Sequence, residues 1–558
     1  MNRFKYIYYS IVKGALACSL LAFVGCTKDF ESINKNPLDP DAQQKEYDGV
    51  GLGGYFTDFQ KRVIPTRSPG ESTDRPNEYQ VMLNLASDNW IGYFSPMVNK
   101  FNNGNNFTTY YMIEGWVNYA YSTSFNNIIN TWMQIKDQTH IKEKTADGKV
   151  IYKNKDLLNQ SVFSLAQIIK IQALHRTTDM FGPMPYSKIG LGQLKVPYDS
   201  QESIYRSFLA ELEEAVQTLT NYSASSKEII ADFDGVYHGD VKKWIKLGNS
   251  LMLRLAMRVR YADPELAKKY AITATTHPGG TIDDVAEIAC LKNSTRFNYL
   301  NSLKLIWDSY SDTRMGATIY SYLKGFGDSR IDSYFRRGKA ADREDFFAIR
   351  TGIPQQSKAD FYKNYSVPNV EDDTPVYWFK ASEVLFLKAE AALYGLIQGN
   401  SKDFYEKGVA KSFEENNVRL GSYLSTKASS GNYDDVLNPT YSATAPSKLS
   451  KVWDQAQTDE EHLEQIITQK YIAIFPDGQE AWSEWRRTGY PKQITAFENR
   501  TNAGVVSSDG YKYGVRRFPF PLSEKQQNKD NVNAALPLLQ GPDNSATRLW
   551  WDKNPLLN

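Results

Sequence analysis

Cysteine and histidine are scarce in this chain, at three Cys and five His among 558 residues. Three Cys cannot form the disulfide framework of a small secreted scaffold, and the lack of CxxC pairs excludes the common structural zinc sites. His140, His175, His238, His277 and His462 lie far apart, none within ligand spacing of another. Each is therefore expected to be structural rather than a base or a metal ligand, and no cofactor is expected. A calcium site built from loop carbonyls would leave little trace in sequence. Net charge is nearly absent too. The 65 basic and 64 acidic residues leave +1, which offers no global excess to hold a nucleic-acid backbone. HExxH, GxSxG and GxxxxGK[ST] are missing, and GVGLGG at 49–54 lacks the strand and spacing of a dinucleotide loop.

A membrane-spanning run is also missing at the N-terminus. Arg3, Lys5 and Lys13 precede an apolar run from Gly14 to Gly25, about 12 residues where a spanning helix needs about 20. The segment 1–25 reads as a cleaved export signal. Phe-Val-Gly stands directly before Cys26, and a small residue before a Cys at the end of the run resembles a bacterial lipobox, with Phe23 where Leu is usual. Cys26 is the expected lipidation site; the alternative is an ordinary secretory signal whose Cys26 is incidental. Removing three basic and no acidic residues takes the net charge from +1 to −2. Residues 26–40, polar and interrupted by Pro37 and Pro40, read as a flexible tether, and 41–558 as the folded body. Cys290, alone in EIACLKN, is expected to be a buried small hydrophobe.

Apolar residues then recur at helical spacing. Ile204, Phe208, Leu209, Leu212, Val216 and Leu219 form one stripe, with Glu211, Glu213 and Glu214 outside it. Similar spacing runs through Val162, Leu165, Ile169 and Leu174; through Trp244, Leu251, Leu255 and Val259; through Val384, Leu387, Ala391 and Leu396; and through Leu463, Ile467 and Ile474. The predicted class is mainly α: tetratricopeptide-like helical hairpins with irregular loops and a few short strands, though no clean 34-residue period is visible. Stretches 277–300 and 420–460 read as loops or short strands. Asp283-Asp284 and Glu371-Asp372-Asp373 read as solvated loops rather than glycosidase carboxylates.

Aromatics are plentiful, and ten of the 38 residues from Asn84 to Tyr121 are aromatic. Among them lies NKFNNGNNF (99–107), a loop of amides and glycine that is not expected to pack as core. Flat rings beside amides suit a ligand with hydroxyl or amide edges and apolar faces, such as a sugar or a peptide. Trp90, Tyr93, Phe101, Tyr110 and Trp116 are the candidate ligand-binding residues; the competing expectation is that most of these rings fill gaps between helices.

TTDMFGPMPYSK (177–188), KWIKLGNSLMLRLAMRV (243–259), GDSRIDSYF (327–335) and YWFKASEVLFLKAEAALYG (377–395) resemble the SusD/RagB lipoproteins of the Bacteroidetes. So do ITQKYIAIFPDGQEAWSEWRRTGYP (467–491), VRRFPFPLSEKQQNKDNVNAA (515–535), RLWWD (548–552) and the opening CTKDFESINKNP. The order is the family's, and the variant looks closest to its second SusD-like subgroup. The residues also have their own reading. Trp482, Trp485, Arg486 and Arg487 can stack and pair with carboxylates, which is expected to lock the fold. The resemblance implies a non-enzymatic outer-membrane lipoprotein, lipid-anchored and facing the exterior. It would capture oligosaccharides as a lid on a SusC-like TonB-dependent transporter. Alternatives are the same role for peptides, a surface glycoside hydrolase, or a helical scaffold without ligand.

Overall fold

The computed structural model describes residues 50–70, 74–294, 297–340, 342–354, 362–502 and 514–557. The chain divides into two compact units, Met1–Gly53 and Gly54–Asn558. Only residues 50–53 of the first are described, so the expected signal 1–25, Cys26 and the tether 26–40 lie outside the described residues.

Helices dominate the second unit. The ones that build it are α1 (Asn127–Thr139), α2 (Leu157–Phe181), α3 (Gln201–Ser223), α4 (Val241–Arg258), α5 (Pro264–Thr276), α6 (Ala381–Leu393), α7 (Ser401–Glu415), α8 (Asp459–Ala473) and α9 (Gly478–Thr488). Between α1 and α2, β1 (His140–Lys144) and β2 (Val150–Asn154) pair as an antiparallel hairpin. Consecutive helices pack on one another from α1 to α5, and α6 packs on α7, α8 and α4. The connections 140–156, 224–240, 394–400 and 474–477 differ in length, which is why no repeat period shows in the sequence. Short two-stranded ladders finish the frame. Phe94–Pro96 pairs with Thr313–Met315, and Ala289–Leu291 pairs with Val376–Phe379.

Caps written in the sequence set the helix starts. Asp156, Ser200, Asp240, Asp263, Asn400, Thr458 and Asp477 each accept a hydrogen bond from a backbone N–H of the first turn; Thr458 closes a full capping box with Glu461. Phe181 ends α2, where Gly182-Pro183 cannot continue it. The predicted stripe of α3 is buried throughout, and Glu213 and Glu214 face solvent. Glu211 departs from that pattern: it is half-buried, because Lys170 of α2 pairs with it at 2.7 Å. Cys290 is buried as expected, and burial pushes its thiol up to about 11.

Close approach of α4 to α3 depends on Gly248, where an added Cβ would stand 2.6 Å from Cγ2 of Val216 and 3.3 Å from Ile168. Gly248→Val is expected to lose about 1–3 kcal/mol of stability by overpacking. A urea midpoint equal to that of the parent would show that α4 shifts at no cost.

The centre is ionic as well as apolar. Glu383 of α6 takes both Nε (2.9 Å) and Nη2 (2.6 Å) of Arg254 from α4, and Lys470 of α8 lies 3.3 Å away. Glu480 of α9 receives Arg258 of α4 at 2.6 Å and Lys470 at 3.2 Å. Glu390 of α6 binds both terminal nitrogens of Arg487 at 2.6 and 2.7 Å and Nε of Arg260 at 3.0 Å. Apart from Arg260, these side chains are at most 2% exposed. The Arg486 guanidinium lies 3.3 Å over the Trp482 ring, so EAWSEWRR locks α9 into the body.

Candidate ligand-binding site

The aromatic segment reaches the body through the Phe94–Pro96 ladder and then turns through residues 99–111. Three side chains shape that turn from inside. Asn106 donates to Asn99 Oδ1 at 2.7 Å and to the Phe101 carbonyl at 2.8 Å, while its own Oδ1 accepts from the Thr108 backbone N–H and hydroxyl. Thr109 donates to the Gly104 carbonyl at 2.6 Å. Asn99 and Asn106, two of the loop's five Asn, are buried and go into self-support, contrary to the expectation that the whole loop stays out of the core.

Asn102, Asn103 and Gly104 all take left-handed backbone conformations, at φ 48°, 51° and 83°. Asn tolerates that region and Gly favours it. The bend pushes the Asn102 and Asn103 side chains into solvent. Arg500 braces it from behind, donating to the Asn103 carbonyl at 2.8 Å; a Cβ on Gly104 would meet that guanidinium at 2.7 Å. Asn502 clasps the Met112 backbone in both directions, at 3.0 and 3.2 Å.

Burial divides the five candidate rings. Trp90 is packed against Trp482, Phe518 and Phe107 at centroid distances of 4.9, 5.5 and 5.9 Å, and its N–H donates to the Phe107 carbonyl at 2.7 Å. Tyr93 is fully buried, stacked on Tyr471 at 4.6 Å and bonded to its carbonyl. Tyr110 is buried, with its hydroxyl accepting from the Ala496 N–H at 3.3 Å and its pKa raised by that burial. These three rings have no face left for a ligand, so Trp90, Tyr93 and Tyr110 are corrected from ligand residues to floor. Phe101 and Trp116 are half-buried and meet edge to face at 5.5 Å, with Trp116 resting on Phe107 at 5.1 Å. Neither the Trp116 indole N–H nor the half-buried Tyr111 hydroxyl is bonded to any described residue.

Beside this shelf opens a groove of about 520 Å³, walled by Asn102, Tyr111, Met112, Asn502, Pro519 and Phe520. That is the size of an ordinary small-ligand cleft. Asp543 stands on its edge and, although desolvation favours its neutral form, Arg517 and Lys525 hold it ionised, below the usual carboxylate range. The acidic runs noted in sequence are taken up in ion pairs instead: Asp283 with Lys246, Glu371 with Lys304 and Arg336, and Asp372 with Arg67. No three His, Cys, Asp or Glu side chains converge on a metal-sized space among the described residues.

Composition had marked Phe101 and Trp116 but not Arg500, Asn502, Pro519 or Phe520. The PFP in VRRFPFP was the only available cue.

A sequence profile described as SusD and RagB outer membrane lipoprotein, SusD-like, matches residues 32–552. The chain belongs to the SusD-like family. Solved structures agree with that assignment. A chitin-binding SusD homolog from Flavobacterium johnsoniae superposes with TM-score 0.81 at 32% identity, covering 90% of this chain and 99% of that one. A SusD homolog from Bacteroides vulgatus gives 0.81 at 31%, over 91% and 100%, and one from Bacteroides uniformis gives 0.78 at 34%, over 90% and 99%. A search of curated proteins finds no match. Among the described residues, no helix of this SusD-like chain is long and apolar enough to cross a membrane.

Proposed function

We propose that this SusD-like protein is a surface-exposed glycan-binding lipoprotein, anchored through Cys26 after removal of residues 1–25, with 26–40 as tether and 41–558 as the binding body. It captures oligosaccharides on the shelf and groove and acts as the lid that delivers them to a SusC-like TonB-dependent transporter. It is a binding device and performs no catalytic step. The observation that carries this reading is the shelf: two partly open rings, a free indole N–H, a free phenol and two solvent-facing amides. A sugar offers apolar ring faces to the first and hydroxyls to the rest. Membership of the family supports it, as does the chitin-binding relative.

A sugar face covering about 40 Å² of ring is worth about 1 kcal/mol, so Trp116→Ala is expected to weaken oligosaccharide binding by about fivefold to tenfold. Glycan arrays followed by calorimetry on the parent and Trp116→Ala test this. Binding confined to peptides would overturn the ligand class. Tagged purification from native membranes tests the lid role, since it should co-isolate a large TonB-dependent barrel; its absence would sink that part.

A further inference from the structure

A second recess, of about 240 Å³, shares no residue with the shelf. It lies where α1, the β1–β2 hairpin, α2 and α3 meet, and its lining includes Lys136, Tyr152, Phe163, Gln167 and Glu211. Phe163 supplies a half-buried ring, set edge to face against His140 at 4.4 Å.

Two charged groups there are positioned but incompletely used. Lys136 Nζ sits over the Tyr152 and Trp132 rings at 4.4 and 4.9 Å and donates to no described residue. Glu211 is held by Oε2 alone, which accepts from Tyr186 at 2.6 Å, Lys170 at 2.7 Å and Gln167 at 3.2 Å. Its Oε1 accepts from no described residue. Gln167 is itself fixed by the Trp132 indole N–H at 2.8 Å, and Lys170 is 3% exposed. A chain of buried and half-buried partners thus aims one carboxylate oxygen, as a built site requires.

The signs of these groups select the ligand. An anion would meet Glu211 and the exposed Glu214, and a cation would meet Lys136, with the buried Lys170 charge behind it. A neutral polyol meets neither objection, since one hydroxyl accepts from Lys136 while another donates to Glu211 and the ring face covers Phe163. We propose that this recess is a second binding site, for a single neutral sugar ring, independent of the shelf. Desolvation and the Lys170 charge push the Lys136 ammonium down to about 8, against the opposite pull of Glu211 and Asp137. A hydroxyl acceptor there would stabilise the charged form.

Saturation-transfer NMR on the lipid-free mature chain, with glucose, galactose, mannose and N-acetylglucosamine as probes, tests the site. At least one probe is expected to receive saturation, with affinity reduced at least tenfold in Lys136→Met and in Glu211→Gln and unchanged in Trp116→Ala. Lys136→Met removes no hydrogen bond or ion pair among the described residues, only the two ring contacts, and keeps an apolar stem in their place, so it decides the matter if Glu211→Gln unfolds. The site is refuted if none of the four sugars responds, or if Trp116→Ala abolishes the signal while Lys136→Met keeps it. Because the shelf variant is the control, failure here leaves oligosaccharide capture at the shelf untouched, and the converse also holds.

Discussion

Glu480→Ala is expected to lose about 3–5 kcal/mol of stability, the cost of leaving buried charges without their partner. Glu480 lies where α4, α8 and α9 meet. Its loss would leave Arg258 and Lys470, themselves at most 1% exposed, facing one another with only Glu383, Glu484 and Asp179 nearby. Glu480→Gln keeps the shape and removes the charge, so it should lose nearly as much; a packing defect alone would spare it. The pH dependence follows from the same contacts. Desolvation opposes ionisation of both Glu480 and Glu484, yet Arg258, Lys470 and Arg254 hold Glu480 well below the usual range, and Arg487, Lys470 and Arg258 bring Glu484 to about 2. A carboxylate whose folded pKa is depressed adds stability above its unfolded pKa, about 4.5, and that stability drains away as pH falls toward 2. The parent should therefore weaken steeply between about pH 4.5 and 2, and Glu480→Gln should show a shallower slope there. Urea midpoints measured at several pH values check both. A loss below about 1 kcal/mol at pH 7 would mean that water enters and solvates the cluster.

That cluster was only half legible in the sequence. EAWSEWRR announced stacking and pairing with carboxylates, but the Arg487 partner Glu390 lies on α6, 97 residues away. Charged residues on a helix normally mark its wet side, and α9 is buried along its whole length. The apolar stripe of α3 was legible because it depends on period alone, whereas the stripe begun at Val384 was read too far, since α6 ends at Leu393 and Leu396 lies beyond it. The shelf fell between these cases. Counting rings located segment 84–121 but could not say which faces Trp482, Phe518 and Tyr471 cover from far along the chain. Arg500 and Asn502 support the loop across 397 and 390 residues of sequence, and no local pattern carries information over that distance.

Trp482→Ala should damage both stability and binding although Trp482 is buried beneath the shelf. The ring is 1% exposed, its N–H donates to the Val515 carbonyl at 2.9 Å, and its removal from a packed interior is expected to lose about 3–5 kcal/mol. The binding effect travels by contact. Trp482 supports Trp90 at 4.9 Å, Trp90 fixes the Phe107 carbonyl through its indole N–H, and Phe107 carries Trp116, which meets Phe101. A void under Trp90 lets this stack sink, and the exposed parts of Trp116 and Phe101, set edge to face, then shift from the positions in which both can meet one ligand. Oligosaccharide affinity, measured well below the unfolding midpoint, should fall by at least as much as in Trp116→Ala, while Trp482→Phe should keep most of both properties. If Trp482→Ala lowered the midpoint and left affinity intact, the bonds of Asn106 and the brace of Arg500 would alone hold the shelf, and the aromatic floor would serve the body rather than the site.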